Sequence, residues 1–227
     1  MVPVNFHHLP ARVELFRSMN SAEIKALLRE SKARRFSSRF IITDQDEPSE
    51  HFYLLWKGKV RYFYETREGK KLILRWLAPG QVFGVAALVS GSPTYLVSTE
   101  AVQDSIVLIW SARAIRSLAR RFPLLLENAL MIAKDYMAWY VTAHAGLCSH
   151  TARERLSHVL VELAETVGRK LPQGTELGVT NEELASAANI TPYTASRIIS
   201  GWQRAGIIRK RRGKIVVCST KLLSSER

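Results

Sequence analysis

The stretch from Thr180 to Val217, TNEELASAANITPYTASRIISGWQRAGIIRKRRGKIVV, constrains this chain more than any other. It opens with Thr180, Asn181, Glu182 and Glu183, a T-x-x-E capping box that satisfies orphan N–H groups at a helix start. Leu184, Ala187 and Ala188 follow at helical spacing, Asn189 breaks the pattern, and Ile190 reads as a buried turn residue. Thr191-Pro192 then starts a second helix, a capping hydroxyl ahead of a proline whose missing N–H costs nothing there. That helix, about Pro192 to Ala205, is expected to bury Ala195, Ile198, Ile199 and Trp202. Its other face shows Tyr193, Thr194, Ser196 and Arg197. Gly206 ends it. Two β-like runs, Ile207-Ile208 and Ile215 to Val217, flank a basic hairpin tip at Arg209, Lys210, Arg211, Arg212, Gly213 and Lys214.

Two short helices, a tight turn and an Arg-bearing second helix match a helix-turn-helix whose second helix lies in a DNA major groove. The basic hairpin is then a wing against phosphates. A charge run by itself reads as a solvated face, but this order of elements is far more specific and implies a DNA-binding module. The charge agrees. The formal net charge is +13, and residues 151–227 hold 13 Lys and Arg against 7 Asp and Glu. The basic footprint is therefore densest where DNA would lie.

With 227 residues, 47% of them hydrophobic, the chain is long enough for two domains with real cores. Two cysteines, Cys148 and Cys218, exclude a disulfide framework, a four-cysteine zinc site and an iron–sulfur cluster held by four thiolates of one chain. Met1 to Pro10 has no apolar core and reads as a poorly ordered start. No run approaches the roughly 18 apolar residues of a membrane span. A cytoplasmic protein without membrane association is expected.

Upstream, Asn20-Ser21-Ala22-Glu23 caps a short helix, and from Phe36 to Trp110 the texture is strands and turns. Lys57-Gly58-Lys59, Arg67-Glu68-Gly69-Lys70, Pro79-Gly80 and Gly91-Ser92-Pro93 punctuate it about every ten residues, which argues an antiparallel roll or barrel. Helical texture returns at Ser111, with a break before Pro123 and a long helix to about Ser149. Leu126, Leu130, Ala133, Met137, Tyr140, His144 and Leu147 recur on it as a heptad seam, expected to pair two copies of the chain. A hinge is expected at Cys148 to Thr151, a further amphipathic helix to about Val167, and a loop at Leu171 to Thr175. The expected fold is α+β: a sensor domain at 1–122 with its roll at about 36–110, a dimerisation helix at 123–149, and a winged helix-turn-helix domain at 150–227.

This order of parts, from about Leu15 to Val217, resembles the Crp/Fnr family of bacterial transcription regulators. The marks are Asp44-Gln45-Asp46, Leu55-Trp56-Lys57-Gly58, Gly69, Pro79-Gly80-Gln81-Val82-Phe83-Gly84, Thr151-Ala152-Arg153 and Thr194-Ala195-Ser196-Arg197. The resemblance implies a cyclic-nucleotide-binding-type roll and base reading by Tyr193, Thr194, Ser196 and Arg197. Arg197 carries the fork that contacts guanine O6 and N7. Thr180, Thr191, Arg209, Lys210, Arg211, Arg212 and Lys214 would contact phosphates. Pro192 stands where many members carry Arg, and Tyr193 where they carry Glu. A tyrosine does not accept from cytosine N4 as a carboxylate does, so the familiar half-sites are not carried over. RNA polymerase is an implied partner if the protein activates.

The sensor departs further. Members that bind cyclic AMP place Glu after the glycine at Gly84, and Arg-Ser or Arg-Thr after the next turn. Here Val85 and Tyr95-Leu96 stand there, and Tyr140-Val141 replaces the adenine-reading Thr-Ser pair of the long helix. Losing a charged hydrogen-bonding partner is expensive, so cyclic nucleotide binding is not expected. Gly84, Val85, Ala86, Leu88, Tyr95, Leu96 and Tyr140 would suit an apolar or aromatic effector of unknown identity, or simply a filled core. His7, His8, His51, His144, His150 and His158 offer single haem ligands, but none has a partner spacing that marks a site, and no metal or cofactor is expected. A nucleophile elbow, an H-E-x-x-H motif and a Walker loop are all missing from the sequence, which argues against an enzyme. The expected function is a homodimeric, sequence-specific regulator of transcription on double-stranded DNA. The alternative is a ligand-independent architectural DNA-binding protein that uses the roll as scaffold.

Overall fold

Reciprocal capping boxes start three of the helices. They are Asn20 with Glu23 at α1 (Ser21–Arg29), Thr151 with Glu154 at α4 (Ala152–Thr166), and Thr180 with Glu183 at α5 (Asn181–Ala187). In this computed structural model the described residues are 10, 13–91, 93–211 and 213–224. Most of the segment read as irregular, Met1 to Pro10, lies outside them, as do Ser92 and Arg212. The described chain separates into two units, residues 1–64 with 77–140 and residues 65–76 with 141–227.

The first unit is built on antiparallel strands, as the turn spacing predicts. They are β1 (Lys32–Phe36), β2 (Ile41–Thr43), β3 (His51–Lys57), β4 (Val60–Glu65), β5 (Lys71–Leu77, mostly assigned to the second unit), β6 (Val82–Phe83), β7 (Ser98–Ala101) and β8 (Ser105–Ser111). Two four-stranded sheets form the roll, ordered β1-β8-β3-β6 and β2-β7-β4-β5. The roll is thus somewhat longer than about 36–110, because β1 begins at Lys32 and pairs with β8 along Lys32↔Ile109 to Phe36↔Ser105. Gly58 makes the tight β3–β4 link with φ +103, a backbone that side chains other than glycine rarely adopt.

Two helices close this unit, α2 (Ala112–Arg121) and the long α3 (Pro123–Ser149). Leu125, Ala129 and Ile132 on α3 join the core made by Phe52, Leu54, Leu108 and Trp110. The Trp110 indole N–H donates to the Leu27 carbonyl at 2.8 Å, and the buried Asn128 amide donates to the carbonyls of Leu15 and Arg17 at 3.0 and 2.8 Å. The buried Asn128 side chain of α3 thus has its amide donors satisfied, which helps to fix the face that α3 turns toward its own core.

In the second unit, α4 buries Leu156, Leu160, Leu163 and Ala164. After it the sequence reading needs a correction: Leu171 to Thr175 is a hairpin rather than a loop. It comprises β9 (Arg169–Leu171) and β10 (Gly174–Leu177), and β10 pairs β12 (Lys214–Val217) in register from Thr175↔Val217 to Leu177↔Ile215. Strands of three and four residues are too short to show alternation, and they are held by pairing rather than by propensity. Gly174, at φ +137, lets the two backbones approach where any Cβ would strike the Val217 carbonyl. With β11 (Ile208–Arg211) the sheet runs β11-β12-β10-β9. A last helix, α7 (Thr220–Ser224), follows, and the buried Ser157 hydroxyl donates to the Leu223 carbonyl. The chain has no helix, among the described residues, long and apolar enough to cross a membrane.

Candidate nucleic-acid interface

The second helix of the helix-turn-helix is oriented from its buried side. α6 (Pro192–Arg204) buries Ala195, Ile198, Ile199 and Trp202, the set its periodicity predicts. Its entry is shaped by three local choices. α5 ends at Ala188, Asn189 takes a left-handed turn at φ +50, and the Ile190 N–H returns to the Ala185 carbonyl at 3.0 Å. Asparagine tolerates that conformation better than most side chains. Thr191 then accepts from the Thr194 N–H at 3.1 Å, with Pro192 in the first turn.

With those residues inside, Tyr193, Arg197, Ser200 and Arg204 are exposed and Ser196 is half-buried. Their spacing places them on one stripe of the helix. Tyr193 is 78% exposed. The Arg197 guanidinium makes no ion pair or hydrogen bond among the described residues, so its donors are available to a base edge. Thr194 is different: its hydroxyl lies 2.9 Å from the Thr191 hydroxyl and helps to shape the helix start. Ser200 and Arg204 escaped the sequence reading, although continuing the i+3 and i+4 spacing from Arg197 reaches both.

Beside the stripe, Arg209, Lys210 and Arg211 are exposed along β11, while Ile208 is buried at its base. Arg212 lies outside the described residues. Lys214 donates to Glu176 Oε1 at 3.1 Å, and Arg169 meets the same oxygen at 3.0 Å. The Lys214 ammonium holds the Glu176 carboxyl below the usual carboxylate range. Part of the Lys214 charge is therefore spent on Glu176, while Arg211 lies opposite Lys214 beside the hairpin tip and Lys210 and Arg209 follow along β11. Thr180 is exposed, its hydroxyl accepting from the Glu183 N–H at 3.1 Å.

The expected sensor residues are gathered only in part. Gly84 takes φ +71 ahead of a short 3-10 turn at Val85–Leu88, and a Cβ there would meet the His51 carbonyl at 2.7 Å. Arg116 of α2 donates to the Val89 carbonyl at 3.0 Å and steadies that turn. Val85 and Leu88 pack on the apolar core, and Ala86 is half-buried beside them. The buried Tyr95 hydroxyl accepts from the His51 N–H at 3.1 Å and donates to the His51 carbonyl at 3.0 Å. Next to it Tyr53 stacks on Phe83 at 4.6 Å. Burial, then the Tyr95 hydroxyl, push the Tyr53 phenol far above its ordinary value, so it stays neutral. Leu96 is 81% exposed and turns to solvent, and Tyr140 lies edge-on to its neighbour Trp139 at 4.9 Å.

On α3, the residues of the heptad seam fall on the side away from the core. Leu126, Leu130, Met137, Tyr140, His144 and Leu147 are exposed in the single chain and Ala133 is half-buried. Met131 and Val141 widen the apolar stripe.

Residues 33–122 match the family model for a cyclic nucleotide-binding domain, and residues 154–225 match that for a Crp-like helix-turn-helix domain. Both matches fall on one chain in the order of the roll and the winged helix. The chain belongs to the Crp/Fnr family. The cyclic AMP receptor protein of Thermus thermophilus is 26% identical over 210 residues, which span 92% of this chain and 94% of that one. A transcriptional regulator of the CRP family from the same organism has a solved structure with a TM-score of 0.73 at 25% identity, covering 85% of this chain and 95% of that one. The c-di-GMP-responsive global regulator CLP of Xanthomonas campestris has the same fold, with a TM-score of 0.77 at 21% identity over 88% of this chain and all of the other. This Crp/Fnr chain is thus a Crp-like transcriptional regulator with a DNA-binding helix-turn-helix.

Proposed function

We propose that this regulator binds a twofold-symmetric DNA site as a homodimer, pairing through the exposed α3 stripe and reading each half-site with α6. The observation that carries this is the Arg197 guanidinium, held without a partner among the described residues on the outward stripe of a helix whose other face is locked into the core. Tyr193, Ser196 and, beside them, Ser200 complete the reading surface. Thr194 serves mainly the helix start. Thr180, Thr191, Arg209, Lys210, Arg211, Arg212 and Lys214 make the phosphate contacts, with Lys214 the weakest of the cations because Glu176 shares it. Phosphate contacts set affinity and its salt dependence, and base contacts set preference. A contact with RNA polymerase belongs to this reading if the protein activates.

The same reading holds that the roll does not take cyclic AMP, although relatives from Thermus thermophilus and Mycobacterium tuberculosis are named for that ligand. The residues at the corresponding positions do not fit it. The hydroxyl of Tyr95, which stands where an arginine would hold the phosphate, is already bonded to both backbone groups of His51. Val85 offers no carboxylate to a ribose. Tyr136 on α3 donates to the Val82 carbonyl at 2.8 Å and meets Tyr62 edge-on at 6.2 Å, so the face of α3 beside Val82 is packed with aromatic side chains. These contacts favour the filled-core reading, and any effector is of a different chemical class from a cyclic nucleotide.

Isothermal calorimetry with cyclic AMP at millimolar concentration is expected to give no saturable heat, and thermal unfolding with the same ligand no shift in melting temperature. A saturable isotherm would overturn this part of the proposal. For DNA, the expected ratio of specific to non-specific affinity at near-physiological salt is about 10³ or more. A ratio near one with a steep salt slope would identify an architectural protein instead.

A further inference from the structure

The Thr151-Ala152-Arg153 mark opens α4, and the turn it opens grips the reading module at two places. Arg155 spends its guanidinium on three backbone carbonyls. Nη1 donates to His150 at 2.7 Å, Nε to Ala188 at 2.9 Å, and Nη2 to Asn189 at 3.3 Å. These acceptors belong to different pieces of the second unit. His150 is the linker residue after α3, and its own N–H returns to the Gly146 carbonyl at 2.9 Å. Ala188 closes α5, and Asn189 is the left-handed residue of the turn that aims α6. Two residues earlier, Arg153 lies over the Trp202 ring, 5.3 Å from its centroid, at the far end of α6.

A guanidinium is a planar fork whose donors diverge at fixed angles, so three simultaneous bonds define both distance and orientation among their acceptors. Carbonyls at a helix end carry partial negative charge, and a cation there is favourably placed. The α3–α4 linker and the helix-turn-helix turn are therefore held in one geometry by one side chain, and the His150 N–H ties that linker back to the last turn of α3. Lysine cannot reproduce this, because a single ammonium does not span three separate acceptors in a fixed plane.

We infer that Arg155 is the positioning residue that fixes the aim of α6 relative to the end of the dimer helix, and through it the half-site spacing that the regulator accepts. This inference rests on the homodimeric reading proposed above. In a twofold reader the separation of the two recognition helices must match the helical repeat of DNA. Anything that loosens the link between α3 and the α5–α6 turn broadens the range of separations. Arg155 reaches no base in this arrangement, so its effect on specificity is indirect.

The test uses full-length protein and a series of duplexes that carry one pair of half-sites with the central spacer lengthened or shortened by one and two base pairs. Wild-type protein is expected to prefer one spacing by tenfold or more over its neighbours. Arg155→Lys is expected to bind the best spacing at least tenfold more weakly and to bind neighbouring spacings within about threefold of it. Affinity for random DNA and its salt slope should be unchanged. A spacing profile that keeps the wild-type shape, with any uniform loss, would overturn the inference, because that is what a merely structural role produces. Arg155→Gln carries the same comparison if the lysine variant does not fold. If the wild-type profile is itself flat, the homodimeric half-site reading fails, a result separable from failure of the Arg155 role.

Discussion

Arg197→Ala is expected to erase most of the preference for the selected site while leaving binding to random DNA almost intact. Arg197 stands on the outward stripe of α6 without an ion pair or hydrogen bond of its own among the described residues, so the substitution leaves no buried partner stranded. On the proposed reading it removes a bidentate contact to a guanine edge, worth about 1–3 kcal/mol of discrimination at each half-site. Two half-sites double that, to roughly 2–6 kcal/mol, or about thirtyfold at the low end. Arg209, Lys210 and Arg211 remain, and with them most of the counterion release that drives non-specific association. Fluorescence anisotropy on specific and shuffled duplexes over a salt series separates the two terms. Equal losses on both would show that Arg197 contacts phosphate rather than base.

Met137→Glu is expected to convert the dimer to a monomer and to abolish binding to the full twofold site. Met137 is 65% exposed and Leu130 62% exposed in the single chain, and both lie on the α3 stripe that faces away from the roll's core. In a coiled-coil-like seam they become core positions. A glutamate there would be buried without a partner in both copies, a penalty of several kcal/mol. That weakens association by on the order of 10³-fold or more. The fold of each chain should survive, because surface substitutions that touch no core contact shift stability by about 0.5 kcal/mol or less. Analytical ultracentrifugation with far-ultraviolet circular dichroism checks both halves. A variant that remains a dimer would place the interface elsewhere.

Much of this was legible before the fold was seen, for local reasons. Capping boxes at Asn20 and Thr180, the Thr191-Pro192 start and Gly206 each announce a helix end through a hydrogen bond or a backbone angle that few residue types supply. The inward set of α6 and the outward heptads of α3 follow from periodicity, which needs no tertiary information. What escaped depends on contacts between distant segments. β9 and β10 are too short to signal themselves and exist because β12 pairs with β10. Leu96 was expected to line a pocket with Tyr95, but the chain bends at Leu96, which turns to solvent, while Tyr95 is held inside by its hydrogen bonds to the His51 backbone. Thr194 read as a base contact from its place on the helix, while its hydroxyl serves the Thr191 cap. The grip of Arg155 on the Ala188 and Asn189 carbonyls joins positions more than thirty residues apart, which no local pattern encodes.

The most direct test of the account is selection of random duplex DNA by the purified full-length protein, with no ligand added and at near-physiological salt. The account predicts a twofold-symmetric motif, two half-sites about one helical turn apart, with a guanine in each that disappears from the selection when Arg197 is replaced. Enrichment without any motif, by sequence-blind and salt-labile binding, would contradict it.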